Sequence, residues 1–120
     1  MLPARNRMRR SRDFDATMKF GIRVAQPDIV IHVRLRRENS ESCGPRIGFI
    51  VGKSVGSAVE RHRVARRLRH IVRSVLEELD QSEDVVIRAL AGSRNATSAR
   101  LEEELRAGLK RCRELAGARR

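Results

Sequence analysis

The stretch from Gly52 to Leu79, GKSVGSAVERHRVARRLRHIVRSVLEEL, constrains this chain more than any other. Leu68, Ile71, Val72, Val75, Leu76 and Leu79 recur at the three-and-four spacing of a helix with one buried stripe. Between Arg61 and Arg73 stand six arginines and no acid. At about 100° per residue, Arg63, Arg66, Arg67, His70 and Arg73 point away from a stripe centred on Leu68. Burying the aliphatic side of such a helix displays a cationic ridge suited to phosphate. An ordinary solvated helix face mixes both signs, with acid and base four residues apart. A single-sign, arginine-only face has no internal partner and calls for an external polyanion.

The start of this helix is also legible. Ser57 and Glu60 have the spacing of a capping box, in which each side chain satisfies the other's free amide, and Gly52 and Gly56 punctuate the turn before it. The helix is expected to begin near Ser57 and to end near residues 80 to 82. Arg61 lies seven residues before Leu68, roughly on the apolar side, so it is expected to project past the edge of whatever the helix packs on.

At 120 residues the chain has room for one hydrophobic core, and 40% apolar residues with regular helix and strand periods make it globular. A net charge of +12 self-repels and favours a partner of opposite sign, with nucleic acid the leading candidate. No run approaches the roughly 20 apolar residues of a membrane span, and the basic N-terminus lacks a following apolar segment that would mark export. A cytoplasmic location is the expectation, with no membrane partner. Cys43 and Cys112 lie far apart without metal-ligand spacing, which favours reduced thiols over a disulfide or zinc site.

Taken in order, residues 1 to 12 carry five arginines and no acid and read as a flexible basic arm. Ser11 is expected to cap a short helix that sets Phe14 and Met18 one turn apart and stops at Gly21. Residues 22 to 25 offer a short extra strand. From Ile29 to Arg36 apolar and polar residues alternate, with Ile29, Ile31, Val33 and Leu35 on one face and Val30, His32, Arg34 and Arg36 on a basic outer face. The polar connection of residues 37 to 45 suggests that the next strand, Arg46 to Val51, returns as a hairpin partner. In it Gly48 leaves space for a ligand to approach the sheet. Asp84 to Leu90 forms the last strand, with Val86 and Arg88 outward. A final helix buries Leu101, Leu105, Leu109 and Cys112. The expected fold is α+β, a two-layer sandwich of a small mixed sheet packed with helices. Residues 13 to 112 form the single domain and 113 to 120 a basic tail.

A nuclease acting alone would need converging carboxylates for metal ions or a histidine pair for acid and base work. His62 and His70 are eight residues apart, about 12 Å along a helix, and cannot share one scissile bond. The acids gather where solubility or the helix dipole explains them, and GKS at residues 52 to 54 lacks the glycine spacing of a phosphate loop. No catalytic or metal-ligating residue is assigned to this chain. Its only aromatics are three phenylalanines, so phosphate contacts rather than base stacking should carry most of the affinity.

The run VGKSVGSAVERHRVARRLRHIVR resembles the signature of the bacterial ribonuclease P protein component family, in which a lysine and glycine turn leads into a helix bearing R-N-R-x-K-R-x-x-R. Arg61, His62 and Arg63 stand at the R-N-R positions, Arg66 at the next arginine and Arg69 at the last, with His62 for the usual asparagine and Ala65 for the usual lysine. RNRMRRSRDF is similar to the family's basic arm and first helix. The resemblance implies a protein that pairs with a large catalytic RNA, aided by Mg2+ bound mainly by that RNA, to remove the 5′ leader of precursor tRNA. It implies ribozyme contacts at Lys53, Ser54, Arg61, His62, Arg63, Arg66, Arg67, Arg69, Arg73, Arg5 and Arg7. It also implies a leader cleft between the first helix and the sheet, on Phe14, Met18, Lys19, His32 and Arg34, and a left-handed βαβ crossover. No obligate protein partner is implied. A non-catalytic ribosomal or ribosome-assembly protein is the alternative that charge alone leaves open.

Overall fold

Alternating and continuous apolar runs become the strands, and the three-and-four patterns become the helices, in the order the sequence suggests. The computed structural model describes residues 2–36 and 44–118. Helix α1 spans Ser11–Phe20, strand β1 Ile22–Ala25, β2 Ile29–Leu35, β3 Arg46–Ile50, helix α2 Ala58–Val75, β4 Glu83–Ala89 and helix α3 Ser98–Ala118. The four strands form one mixed sheet in the order β1-β2-β4-β3. β1 and β4 flank β2 antiparallel, whereas β3 pairs with β4 in parallel. The expected hairpin between β2 and β3 is therefore absent. β4 sits between them, because seven consecutive residues of β2, Ile29 to Leu35, find partners on β4.

The parallel pair β3 and β4 is joined through α2, a βαβ unit that places this helix against the sheet. Val64, Leu68, Ile71, Val72 and Val75 of α2 are buried in a core shared with Ile31, Ile47, Val85 and Ile87 of the sheet and Leu101, Leu105 and Leu109 of α3. Gly108 lets α3 close down on Ile31, since a Cβ there would collide with the Ile31 side chain. Cys112 completes that stripe, and burial, helped by the nearby Glu83, pushes its thiol up to about 11. The thiol is thus protonated and inert at neutral pH. Cys43 lies outside the described residues.

The other face of the sheet is not the solvated surface that alternation suggested. α1 packs across β2 and β4 there, so Val30, His32 and Val86 are as buried as their neighbours on the core face. Gly48 faces this layer, but the space beside it is filled from within the chain. The ring of Phe14 occupies the position a Cβ would take, and the Met8 Cβ lies 3.2 Å away. Ser11 is the first residue of α1 rather than its cap, because the Arg10 carbonyl already accepts from the amides of Asp13 and Phe14.

The basic arm expected over residues 1 to 12 also differs. Leu2, Asn6 and Met8 are buried, the Met8 amide donates to the Ile47 carbonyl at 2.9 Å, and the Asn6 Nδ2 donates to the Pro45 carbonyl at 2.7 Å. The segment thus runs along edge strand β3 with its arginines outward, which shields backbone groups that an edge strand leaves open. At the other end α3 continues to Ala118, into the residues expected to be a tail.

The close seating of α1 makes a stability prediction. Gly48→Ala should destabilise the protein by about 1–3 kcal/mol, the usual range for overpacking, because the Phe14 ring must leave the sheet. Urea unfolding should show the loss, and Gly48→Ala combined with Phe14→Leu should recover part of it.

Candidate nucleic-acid interface

The cationic helix starts where the sequence placed it. The Ser57 Oγ accepts from the Glu60 amide at 3.2 Å and the Glu60 Oε1 accepts from the Ser57 amide at 3.0 Å, a complete capping box. These two bonds with Ser57 hold the Glu60 carboxyl below its ordinary range. Gly56 makes the box possible: its φ of 149° is closed to most L side chains, and a Cβ would meet the Glu60 carboxylate. Lys53 and Ser54 stand exposed on the 3-10 turn Lys53–Val55 just before it.

Because the aliphatic stripe is buried, His62, Arg63, Arg66, His70 and Arg73 are exposed or half-exposed along the opposite side, and Arg61, Arg67 and Arg69 flank them. Arg61 sits at the stripe's edge, and its Nε is buried without a hydrogen-bond partner. Arg67 is partly engaged, donating to the Ala96 carbonyl at 3.1 Å and the Arg94 carbonyl at 3.4 Å. That ties α2 to the turn before α3. Between these elements lies an open groove of about 680 Å³, lined by His62, Arg63, Arg66, Arg67, Arg69, His70 and Ser98.

The decisive electrostatic fact is where the acids go. Ion pairs neutralise Arg94, Arg100, Arg106 and Arg111 on or before α3, and Arg34, Arg36 and Arg46 on the sheet. Among the described residues, none of the six arginines of α2 is so paired. Six guanidinium groups on one helix without an ion-paired carboxylate among the described residues concentrate positive potential on this side of the molecule. Of the arm residues, Arg5 is exposed, while Arg7 donates from Nε to the Leu2 carbonyl at 2.9 Å.

The second expected site lies on the α1 side of the sheet. Phe14 and Met18 are half-buried in α1, and Lys19 is exposed with its Nζ 5.6 Å from the ring centre of the exposed Phe20. His32 is not an open platform: it is 4% exposed, and neither ring nitrogen has a hydrogen-bond partner. Arg34 is held by a carboxylate that strand periodicity alone does not single out. Asp84 is fully buried and accepts from Arg36 at 2.6 Å, from Arg46 twice at 2.9 Å and from Arg34 at 3.3 Å. Its only signal in the sequence is weak, an acid at the start of an apolar strand. Among the described residues no three His, Cys, Asp or Glu side chains gather in a way that could hold a metal ion.

A compact α+β domain with one face of unpaired arginines and a second, helix-covered basic sheet face defines a polyanion-binding protein class. Similarity to known proteins makes this specific. The Ribonuclease P family model matches residues 2–113. A ribonuclease P protein component of Mycobacterium avium is 63% identical over 112 residues, covering 92% of this chain and 94% of that one. That of Mycobacterium tuberculosis is 57% identical over 118 residues, 98% of each chain. In fold, the RNase P protein of Staphylococcus aureus superposes with a TM-score of 0.73 at 24% identity, over 88% of this chain and 93% of that one. The RNase P protein of Thermotoga maritima does so with a TM-score of 0.73 at 24% identity, over 88% and 96%. The chain belongs to the ribonuclease P protein family.

His32 supplies a pH test. Burial first, then Arg23 and Arg88, lowers its pKa below the ordinary 6.5. As pH falls through about 6.5 the unfolded chain gains a proton that the folded chain refuses, so His32 should cost stability toward pH 5. Glu83 and Glu104, both raised mainly by burial, act with the opposite sign. The unfolding free energy of wild type minus that of His32→Phe should therefore decline as pH is lowered from about 7.5 to 5, a window set by the ordinary histidine range, which urea titrations would measure.

Proposed function

We propose that this chain is the protein subunit of a ribonucleoprotein endoribonuclease, ribonuclease P, that docks its arginine helix on the catalytic RNA and receives the 5′ leader of precursor tRNA in the cleft under α1. The activity to which it contributes is the 5′ maturation of tRNA. The single observation that carries the docking surface is the unpaired arginine face of α2 along its groove. Phosphate contacts made there release counterions from the RNA, so binding gains strength without base readout. Arg63 and Arg66 are both exposed on this face, and Lys53, Ser54, His62, Arg69 and Arg73 extend the same surface along the helix.

Chemistry at the scissile bond belongs in this reading to the RNA subunit. Magnesium bound by that RNA would supply the means to activate water and to stabilise developing negative charge. The chain's own residues bring cations between two polyanions that otherwise repel each other, so they raise affinity for substrate more than they alter bond cleavage. Phe14 and Met18 line the apolar side of the leader cleft, and Lys19 and Arg34 provide its charge. His32, deprotonated by its surroundings, contributes packing and no charge there.

The test is binding of the purified chain to ribonuclease P RNA across a salt series. Arg63→Ala with Arg66→Ala should weaken binding and reduce the slope of log K against log salt by about one to two units, roughly one for each phosphate no longer neutralised. An unchanged slope would remove α2 as the docking surface. In a cleavage assay at low magnesium, wild-type chain should rescue processing of precursor tRNA by the RNA subunit; a ribosome-assembly protein would not.

A further inference from the structure

Two imidazoles share the arginine groove. His62 and His70 line it with Arg63, Arg66, Arg67 and Arg69 and, from α3, Ser98, and both rings are exposed. They stand eight residues apart on α2, about 12 Å along its axis, with Arg66 one turn from each. The two rings therefore reach different phosphates of a strand lying along the helix. We propose that His62 and His70 are proton-linked phosphate contacts: each ring takes up a proton as an RNA phosphate enters the groove, so docking on the catalytic RNA tightens as pH falls. This rests on the reading of α2 as the docking surface.

The surroundings give neither ring a partner from within the protein. Among the described residues no hydrogen bond or ion pair engages His62 or His70. No acid lines the groove. The acids of the elements around it are held elsewhere. Glu60 caps α2 and meets Arg94 at 3.8 Å, Glu102 accepts from the Ser74 Oγ at 2.6 Å, Glu104 accepts from the buried Asp28 amide, and Glu114 pairs with Arg111. Glu103 is exposed outside the lining. A phosphate arriving in the groove offers only acceptors. A neutral imidazole has one donor and one acceptor, whereas the protonated ring has two donors and a charge, so the phosphate selects the protonated form. Imidazole is also the side chain that ordinarily changes charge between pH 5 and 8. Arginines keep theirs throughout, so in that range the charge of the groove changes only through these two rings. The complex then holds more protons than its separated parts, and by linkage affinity rises as pH falls. His32, buried against the other face of the sheet, is closed to such a contact.

The experiment measures binding of the full chain to ribonuclease P RNA at fixed salt and magnesium from about pH 8 to 6, which brackets ordinary imidazole titration. Wild-type affinity should rise by about three- to tenfold per ring, tenfold being the effect of a one-unit preference for the charged form. The slope of log K against log salt should be steeper at the lower pH by about one to two units. His62→Asn with His70→Asn, two exposed replacements that leave the core untouched, should match wild type at the upper pH and lose most of both gains. His70→Arg should recover at the upper pH the affinity gained through that ring. Calorimetry in two buffers of different ionisation enthalpy should show wild type taking up about one proton more than the double variant near pH 7. Equal pH dependence in wild type and double variant, or equal proton uptake, would overturn the assignment. If Arg63→Ala with Arg66→Ala still reduces the salt slope, the α2 reading survives that result. An unchanged slope in the arginine variant overturns both.

Discussion

Burial of the aliphatic stripe of α2 is the interaction from which the rest follows. Val64, Leu68, Ile71, Val72 and Val75 are almost wholly removed from water. Each such side chain contributes about 1.5–3 kcal/mol, whereas two charges about 4 Å apart in water repel by only about 1 kcal/mol and are further screened by salt. The core therefore wins over self-repulsion, and the helix stays seated with its arginine face turned toward solvent. An isolated helix of this composition, whose one acid, Glu60, is engaged in its cap, would have little reason to form. The βαβ unit of β3, α2 and β4 supplies the surface on which it can.

Charge is then segregated rather than merely abundant. The acids of α3 pair with the arginines of α3, and Asp84 gathers those of the sheet. Arg67 is the bridge between the two regimes: its guanidinium bonds carbonyls before α3 while its neighbours on α2 stay open to the groove. A net charge of +12 could have been spread evenly over the surface. Its concentration on one helix gives the molecule one strongly positive side.

The sheet works on both faces. One carries α2 and α3 over the main core, and the other carries α1 over a smaller apolar layer with Phe14 seated on Gly48. Removing water from that second layer silences His32 as a charge and makes the Asp84 cluster possible, since a fully buried carboxylate persists only when several donors surround it. The same packing that hides His32 leaves Arg34 and Phe20 at the rim.

Much of this was legible in residue order because it depends on local periodicity. The capping box at Ser57 and Glu60, the α2 stripe, the arginine face, the strands and the Leu101, Leu105, Leu109 and Cys112 stripe are set by spacing along one segment, and the ribonuclease P signature lies within a single such segment. Partners across the chain were not. Alternation in β2 showed a strand but not that β4 would lie beside it, and a basic outer face could not reveal that α1 would cover it. Nor could the letters show Leu2 and Met8 packed along β3, or Asp84 meeting three arginines from two neighbouring strands. Those outcomes turn on which surfaces bury most area together and which buried charges find donors, quantities that exist only once distant segments share one core.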